Sequence, residues 1–179
     1  MAKEIGLDRK AAFLRLFNAY GPALTRLAGA YVGTREDRED LVQEIATALW
    51  QALPAFRGEA SERTWLYRIA HNVAMTAAVR MRNRDRREVV PEDSLDLPST
   101  GANVEQTLLE NEKRRMLLAA LRDLAALDRQ ITVLHLEGLS GAEIGEITGL
   151  AEGAVATRLT RIREKLRNAI RARESCDAG

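Results

Sequence analysis

Residues 127–167 constrain this chain more than any other stretch. Ser140, Gly141, Ala142 and Glu143 have the pattern of a capping box. The Ser140 hydroxyl can accept from the backbone N–H three residues on while Glu143 reaches back, so a helix is expected to start there. Ile144, Ile147 and Leu150 follow at helical spacing, and Gly149 stands where a short helix must stop and reverse. In the next segment Val155, Leu159, Ile162 and Leu166 are spaced by four, three and four residues, one buried stripe of a second helix. Arg158, Arg161, Arg163, Lys165 and Arg167 occupy the rest of that helix surface. Two helices joined by a tight glycine turn, the second longer and basic, form the helix-turn-helix layout that seats a recognition helix in the major groove of DNA. Taken alone, the same pattern also describes an ordinary amphipathic pair with a solvated basic face.

The string LSGAEIGEITGLAEGAVATRLTRIREKLR resembles region four of bacterial RNA polymerase sigma factors, most closely the small extracytoplasmic-function (ECF) group. The resemblance implies that this helix pair reads the minus-thirty-five promoter element, with Ala156, Thr157, Arg158, Thr160, Arg161 and Arg163 on the reading helix. Four positions depart from the family pattern. Asp128 stands where Pro is common, Gly145 where Ala is usual, Ala154 where Thr is usual, and Ala156 where a basic residue is usual.

Aromatic residues make up only 4% of the 179 residues, against 46% hydrophobic residues rich in Ala and Leu, which favours short helices in bundles and predicts an all-α protein. The net charge of +1 hides acidic and basic blocks whose local fields matter more than their sum. Cys176 is the single cysteine, which rules out an intramolecular disulfide and a multi-thiolate metal site. No signal-peptide core stands at the N-terminus and no run of about 18 apolar residues occurs, so a cytoplasmic, soluble protein without membrane insertion is expected.

From Ala11 to Val32, apolar residues recur at three and four, interrupted by Gly21 and Pro22, where a helix break and restart is expected. Thr34 with Asp37 makes an N-cap for a helix to Leu53, with Leu41, Ile45 and Leu49 inward and Asp37, Glu39, Asp40, Gln43 and Glu44 clustered outward. Acids in a first turn oppose the helix dipole and need no partner, but Asp40 and Glu44 lie further along. The string DREDLVQEI resembles the sigma segment that docks on the β′ clamp helices of the polymerase. By that likeness Asp40, Leu41, Gln43 and Glu44 are docking residues, with Asp37 and Glu39 in electrostatic support.

Pro54 to Arg63 is a short loop, after which a helix opens at Trp65 with Leu66, Ile69, Ala70 and Val73 inward. Arg63, Arg68, His71, Asn72 and Met75 are left outside or at the rim. Aromatic faces and guanidinium planes stack on unpaired bases and Asn bonds a base edge, while Trp65 and Tyr67 also fit as plain core aromatics. The string RTWLYRIAHNVA resembles the sigma segment that melts and reads the minus-ten element. The likeness implies a base-capturing loop at residues 56–61, including Phe56, Arg57, Gly58 and Ser61, and a reading face of Arg63, Trp65, Arg68, His71 and Asn72. Five arginines crowd Arg80 to Arg87, of which Arg80, Arg84 and Arg87 are candidate phosphate contacts; Thr76 replaces an Asp common in the family.

Between Glu88 and Glu112 there are seven acids and no Lys or Arg, broken by Pro91, Pro98 and Gly101. Residues 88–104 read as an acidic flexible tether between two small helical domains, 1–87 and 105–173, with a tail at 174–179. The resemblance implies that the tether threads toward the basic catalytic centre, to which Glu92, Asp93 and Asp96 are suited. A helix is expected from Asn103 to Leu127, packing Leu108, Leu109, Met116, Leu117, Leu121 and Leu124 against Ile131, Val133, Leu134 and Leu136. His71 and His135 are the only histidines and no nucleophile, phosphate-loop or metal motif accompanies them, which argues against an enzyme.

The reading is therefore an ECF-type sigma factor without cofactor or metal. Its implied partners are core RNA polymerase, through the β′ clamp helices and the β flap, promoter DNA, and an anti-sigma protein. An autonomous helix-turn-helix regulator is the alternative, but it would need neither the acids of 37–44 nor the segment 65–72, and no dimerisation heptad is present.

Overall fold

The computed structural model describes the backbone of residues 2–85 and 104–177, and side chains within 9–81 and 113–169. All regular structure among these residues is helical. The N-terminal half holds α1 (Ala2–Tyr31), α2 (Arg35–Ala52), a 3-10 turn at Leu53–Ala55 and α3 (Glu62–Asp85). The C-terminal half holds α4 (Val104–Arg122), α5 (Ala126–Leu136), α6 (Gly141–Thr148) and α7 (Glu152–Asp177). Of the expected tether at 88–104, residues 88–103 lie outside the described residues and Val104 opens α4. Cys176, expected in a polar tail, falls within α7.

Helix α1 does not break at Gly21-Pro22; Pro22 sits inside one continuous helix. A proline in a helix interior costs about 3 kcal/mol through its missing N–H and ring clash. Leu16, Ala23, Leu24, Leu27 and Ala28 are buried on both sides of it, and burying several such side chains outweighs that cost. Thr25 Oγ1 donates to the Gly21 carbonyl at 3.0 Å, giving an acceptor beside the proline a partner.

The cap of α2 follows the sequence expectation: Thr34 accepts from Asp37 N at 3.0 Å, and Leu41, Ile45 and Leu49 face inward. Helix α3 starts three residues earlier than expected, because Ser61 caps it by accepting from Thr64 N at 3.0 Å.

The helix expected to reach Leu127 stops at Arg122, where a corner leads into α5. Arg129 makes that corner. Its buried guanidinium donates to the carbonyls of Leu121 (3.1 Å), Arg122 (2.5 Å) and Leu124 (3.1 Å), in the last turn of α4 and the corner that follows it.

The two halves pack on each other. Buried residues of α1, α2 and α3 and of α4 to α7 belong to one apolar cluster that runs from Leu16 to Ile162. Across the seam, Arg129 lies 5.3 Å from the centroid of the Tyr31 ring, a cation–π contact between α5 and α1. Leu136, expected to pack in the C-terminal bundle, is instead exposed.

Candidate nucleic-acid and docking surfaces

The helix-turn-helix is built as its sequence specifies. Ser140 and Glu143 form both arms of the capping box, and Gly149 ends α6 in the left-handed region at φ 75°. The hydrogen bond from the Ser140 backbone N–H and that from its hydroxyl hold the Glu143 carboxyl below the ordinary carboxylate range. The departure at Gly145 has a steric cause: a Cβ there would lie 2.5 Å from the Leu150 carbonyl oxygen, so the turn closes directly over the glycine.

Val155, Leu159 and Ile162 are buried as expected, and the outer face of α7 carries Ala156, Thr157, Thr160, Arg161 and Arg163 in the open. Thr157 and Thr160 donate to carbonyls one turn back. Arg163 lies 3.0 Å from His135 Nε2. Arg158, expected as a free reader, is tied instead. Asp128, buried at the start of α5, accepts from Arg158 at 2.7 Å and from Lys165 at 3.4 Å. The departure at Asp128 thus anchors the recognition helix to α5.

On α2 the acidic face divides. Asp40 and Gln43 are exposed, whereas Glu39 pairs with Arg35 at 2.9 Å and Glu44 with Arg80 at 2.6 Å. Asp37 accepts from the Thr34 hydroxyl at 2.7 Å as part of the cap. Leu41, expected among the docking residues, is only 1% exposed and belongs to the core because it shares the stripe of Ile45 and Leu49.

Beyond α2, the loop to α3 surrounds a cavity of about 340 Å³ lined by Ala55, Phe56, Arg57, Glu59, Ala60, Trp65 and Arg68. The Phe56 and Trp65 rings sit 4.8 Å apart, tilted by 40°. Gly58 takes φ 74° at the loop's tip. Ser61 is a helix cap rather than a free loop residue, sharing its hydroxyl with Thr64.

His71, expected on the reading face, is fully buried. Its Nδ1 lies 2.8 Å from the Tyr31 hydroxyl and its Nε2 has no partner. Burial pushes its pKa down to about 3, and burial likewise raises that of Tyr31. Asn72 is exposed on the opposite side of the helix. The side chains of Arg84 and Arg87 lie outside the described residues.

Two other α3 arginines, one cation of α1 and a tyrosine meet the C-terminal half, which the sequence did not reveal. Glu137, at the end of α5, accepts from Arg26 at 2.9 and 2.6 Å and from the Tyr67 hydroxyl at 3.3 Å. The Glu137 carbonyl accepts from Arg63, and Arg68 pairs with Glu146 of α6 at 3.1 Å. Desolvation, with Glu137 beside it, raises the Tyr67 pKa. Arg63 and Arg68 are therefore bonded to the C-terminal half, Arg68 through a pair that stays solvent-exposed.

Two helical units in this order, an acidic helix followed by an aromatic-lined loop and then a helix-turn-helix, define a protein of transcription initiation. Residues 16–87 match Sigma-70 region 2, and residues 114–166 match Sigma-70, region 4. The chain is 32% identical over 177 residues to the ECF RNA polymerase sigma-E factor of Haemophilus influenzae, covering 95% of this chain and 93% of that one. It is 34% identical over 170 residues to the ECF RNA polymerase sigma-E factor of Escherichia coli K12, covering 91% and 88%. Among solved structures, CnrH in complex with the cytosolic domain of CnrY aligns with TM-score 0.66 and 25% identity over 91% of this chain and 90% of that one. The fold is also that of the sigma factor RpoE bound to the anti-sigma factor NepR from Bartonella quintana, with TM-score 0.67 and 23% identity over 89% and 97% of the two chains. The chain belongs to the ECF group of the sigma-70 family and is an RNA polymerase sigma factor. No helix among the described residues is long and apolar enough to cross a membrane.

Proposed function

We propose that the chain docks core RNA polymerase through the outer face of α2, centred on Asp40 and Gln43 with Glu44, and traps an unpaired promoter base in the cavity beneath Phe56 and Trp65. The outer face of α7 then fixes position on the upstream duplex. An aromatic floor with a guanidinium at its edge suits any flipped base, because stacking needs only a π face. Unstacking has a cost that only a nucleotide fitting the cavity recovers, so this step contributes selectivity. Phosphate contacts by Arg161 and Arg163 position the protein, and the threonines and Ala156 face the base edges.

The observation that carries this reading is the loop cavity between α2 and α3. A regulator that only grips duplex DNA has no use for it. In the arrangement described, Arg63 and Arg68 are held by Glu137 and Glu146, so reading of a melted strand requires the halves to part first. Within the cell such a protein acts in the cytoplasm beside the polymerase and contributes address rather than catalysis. A protein that inhibits it has a simple route, namely keeping the halves together.

Run-off transcription with core polymerase on a randomised promoter pool tests the reading. Initiation at a defined subset of templates, lost on Trp65→Ala together with Arg68→Ala, is the expected result. Footprinting of duplex DNA by the protein alone, without capture of core polymerase, would assign it to the autonomous regulators instead.

A further inference from the structure

A second cavity, of about 210 Å³, opens on the seam between the halves, remote from the loop cavity. Its walls are apolar, with Leu117, Leu118 and Leu121 of α4 and Val133 and Leu136 of α5 facing Gly29 and Ala30 of α1. Cations stand around it: Arg26, Arg38 and Arg114 all line it, and Glu137 is the one carboxylate among the lining residues. Glu137 is already engaged by Arg26 and Tyr67.

Arg38 is the anomaly. It is only 5% exposed, yet its buried Nε has no hydrogen-bond partner, and no described carboxylate forms an ion pair with it. Of the two acids that flank it in sequence, Glu39 is bonded to Arg35 and Asp37 accepts from the Thr34 hydroxyl. Desolvation lowers the Arg38 pKa, and the positive charges of Arg35, Arg122 and Arg114 add to that effect against a weaker pull from Glu39. A buried charge without a partner is among the costliest features a small protein can carry. Here the backbone makes room for it. A Cβ at Gly29 would meet the Arg38 stem at 3.9 Å and Leu118 at 3.6 Å, so the missing side chain is what leaves the space beside the guanidinium open.

We propose that this seam cavity is a binding site for a small amphiphilic carboxylate, whose anionic head pairs with Arg38 and whose short apolar tail lies along Leu117, Leu118, Leu121 and Val133. The volume lies below the roughly 300–1,000 Å³ of drug-sized sites, which suits a short-chain organic acid rather than a nucleotide or a large cofactor. A cation with no ion pair selects an anion, and a mostly apolar wall rejects a fully hydrated one such as phosphate. Because α1, α2, α4 and α5 all contribute, an occupant favours the arrangement in which the halves are together, by mass action. The site stands independently of promoter binding and is tested without polymerase.

The test is titration of the full-length protein with octanoate, read by calorimetry and by thermal melting, alongside octan-1-ol, which has the same tail and no charge. Saturable octanoate binding with a rise in melting temperature is expected, together with binding of octan-1-ol weaker by about tenfold or more, the worth of a hydrogen bond to a charged group. Arg38→Met is expected to weaken octanoate by a similar factor while melting no lower than the parent protein, since it removes an unpaired buried charge. Absence of saturable octanoate binding, equal binding of the alcohol, or full affinity in a folded Arg38→Met protein would each overturn the proposal.

Discussion

Helices α3 and α7 both carry arginines that the proposed function assigns to nucleic acid, yet the structure treats them oppositely. On α7, Thr157, Thr160 and Arg161 stand in solvent, Arg163 lies against His135, and Asp128 holds Arg158 and Lys165. On α3, Arg63 is bonded to the Glu137 carbonyl at the end of α5, Arg68 to Glu146 of α6, and Arg80 to Glu44 of α2. Under the proposed function, the surface assigned to duplex DNA is open while the surface assigned to an unpaired strand is partly covered by its own chain, so contact upstream would need no rearrangement and contact with a melted strand would.

The largest test of that contrast is Gly145→Val. The added Cβ collides with the Leu150 carbonyl, and overpacking of this kind is expected to destabilise the C-terminal half by about 3 kcal/mol in chemical denaturation. If the seam is as described, the same variant also frees Arg63 and Arg68, so limited proteolysis near residue 63 should accelerate. Unchanged cleavage there would break the comparison.

Glu137→Ala addresses the seam directly. It removes the acceptor for Arg26 and Tyr67, a loss of about 2 kcal/mol discounted for the half-exposed Arg26. A longer inter-half distance, measured by resonance energy transfer between dyes on α2 and α7, is the expected outcome.

His71 sharpens the comparison through pH. Its folded pKa, near 3, lies below the ordinary value near 6.5, so the unfolded chain binds the extra proton. Its contribution is therefore complete above pH 6.5 and is lost as pH falls toward 3, with a slope of up to about 1.4 kcal/mol per pH unit. His71→Gln should flatten that part of the stability profile in urea titrations at stepped pH.

The smallest structural effect belongs to Asp40→Ala combined with Glu44→Ala. Stability should change by less than about 0.5 kcal/mol, since both groups are at the surface. Affinity for core polymerase should drop severalfold in a pull-down, and retained affinity would remove α2 from the docking surface.

Most of the architecture was legible because it rests on local rules. The capping box at Ser140, the glycine at 149 and the stripe from Val155 to Leu166 each depend on neighbours within one or two turns. The same is true of the Thr34 cap. What escaped depends on partners far along the chain. His71 was placed outside because helical periodicity puts it at the rim, whereas Tyr31, forty residues earlier, meets it with both hydroxyl and ring. Leu41 was assigned two roles, core and docking, that one side chain cannot fill. Pro22 misled in the opposite direction, since a local breaking rule was outweighed by burial on either side. Gly145 and Asp128 were visible as departures, but their causes, a carbonyl at contact distance and two cations on another helix, exist only in three dimensions.

The corner held by Arg129 has a consequence for how the halves can separate. The carbonyls of Leu121, Arg122 and Leu124 that accept from Arg129 belong to its own half, and its ring contact with Tyr31 reaches across. When the halves part, Arg129 itself gives up an attraction of about 1 kcal/mol, while its bonds to the Leu121, Arg122 and Leu124 carbonyls stay within the C-terminal half and hold that corner closed.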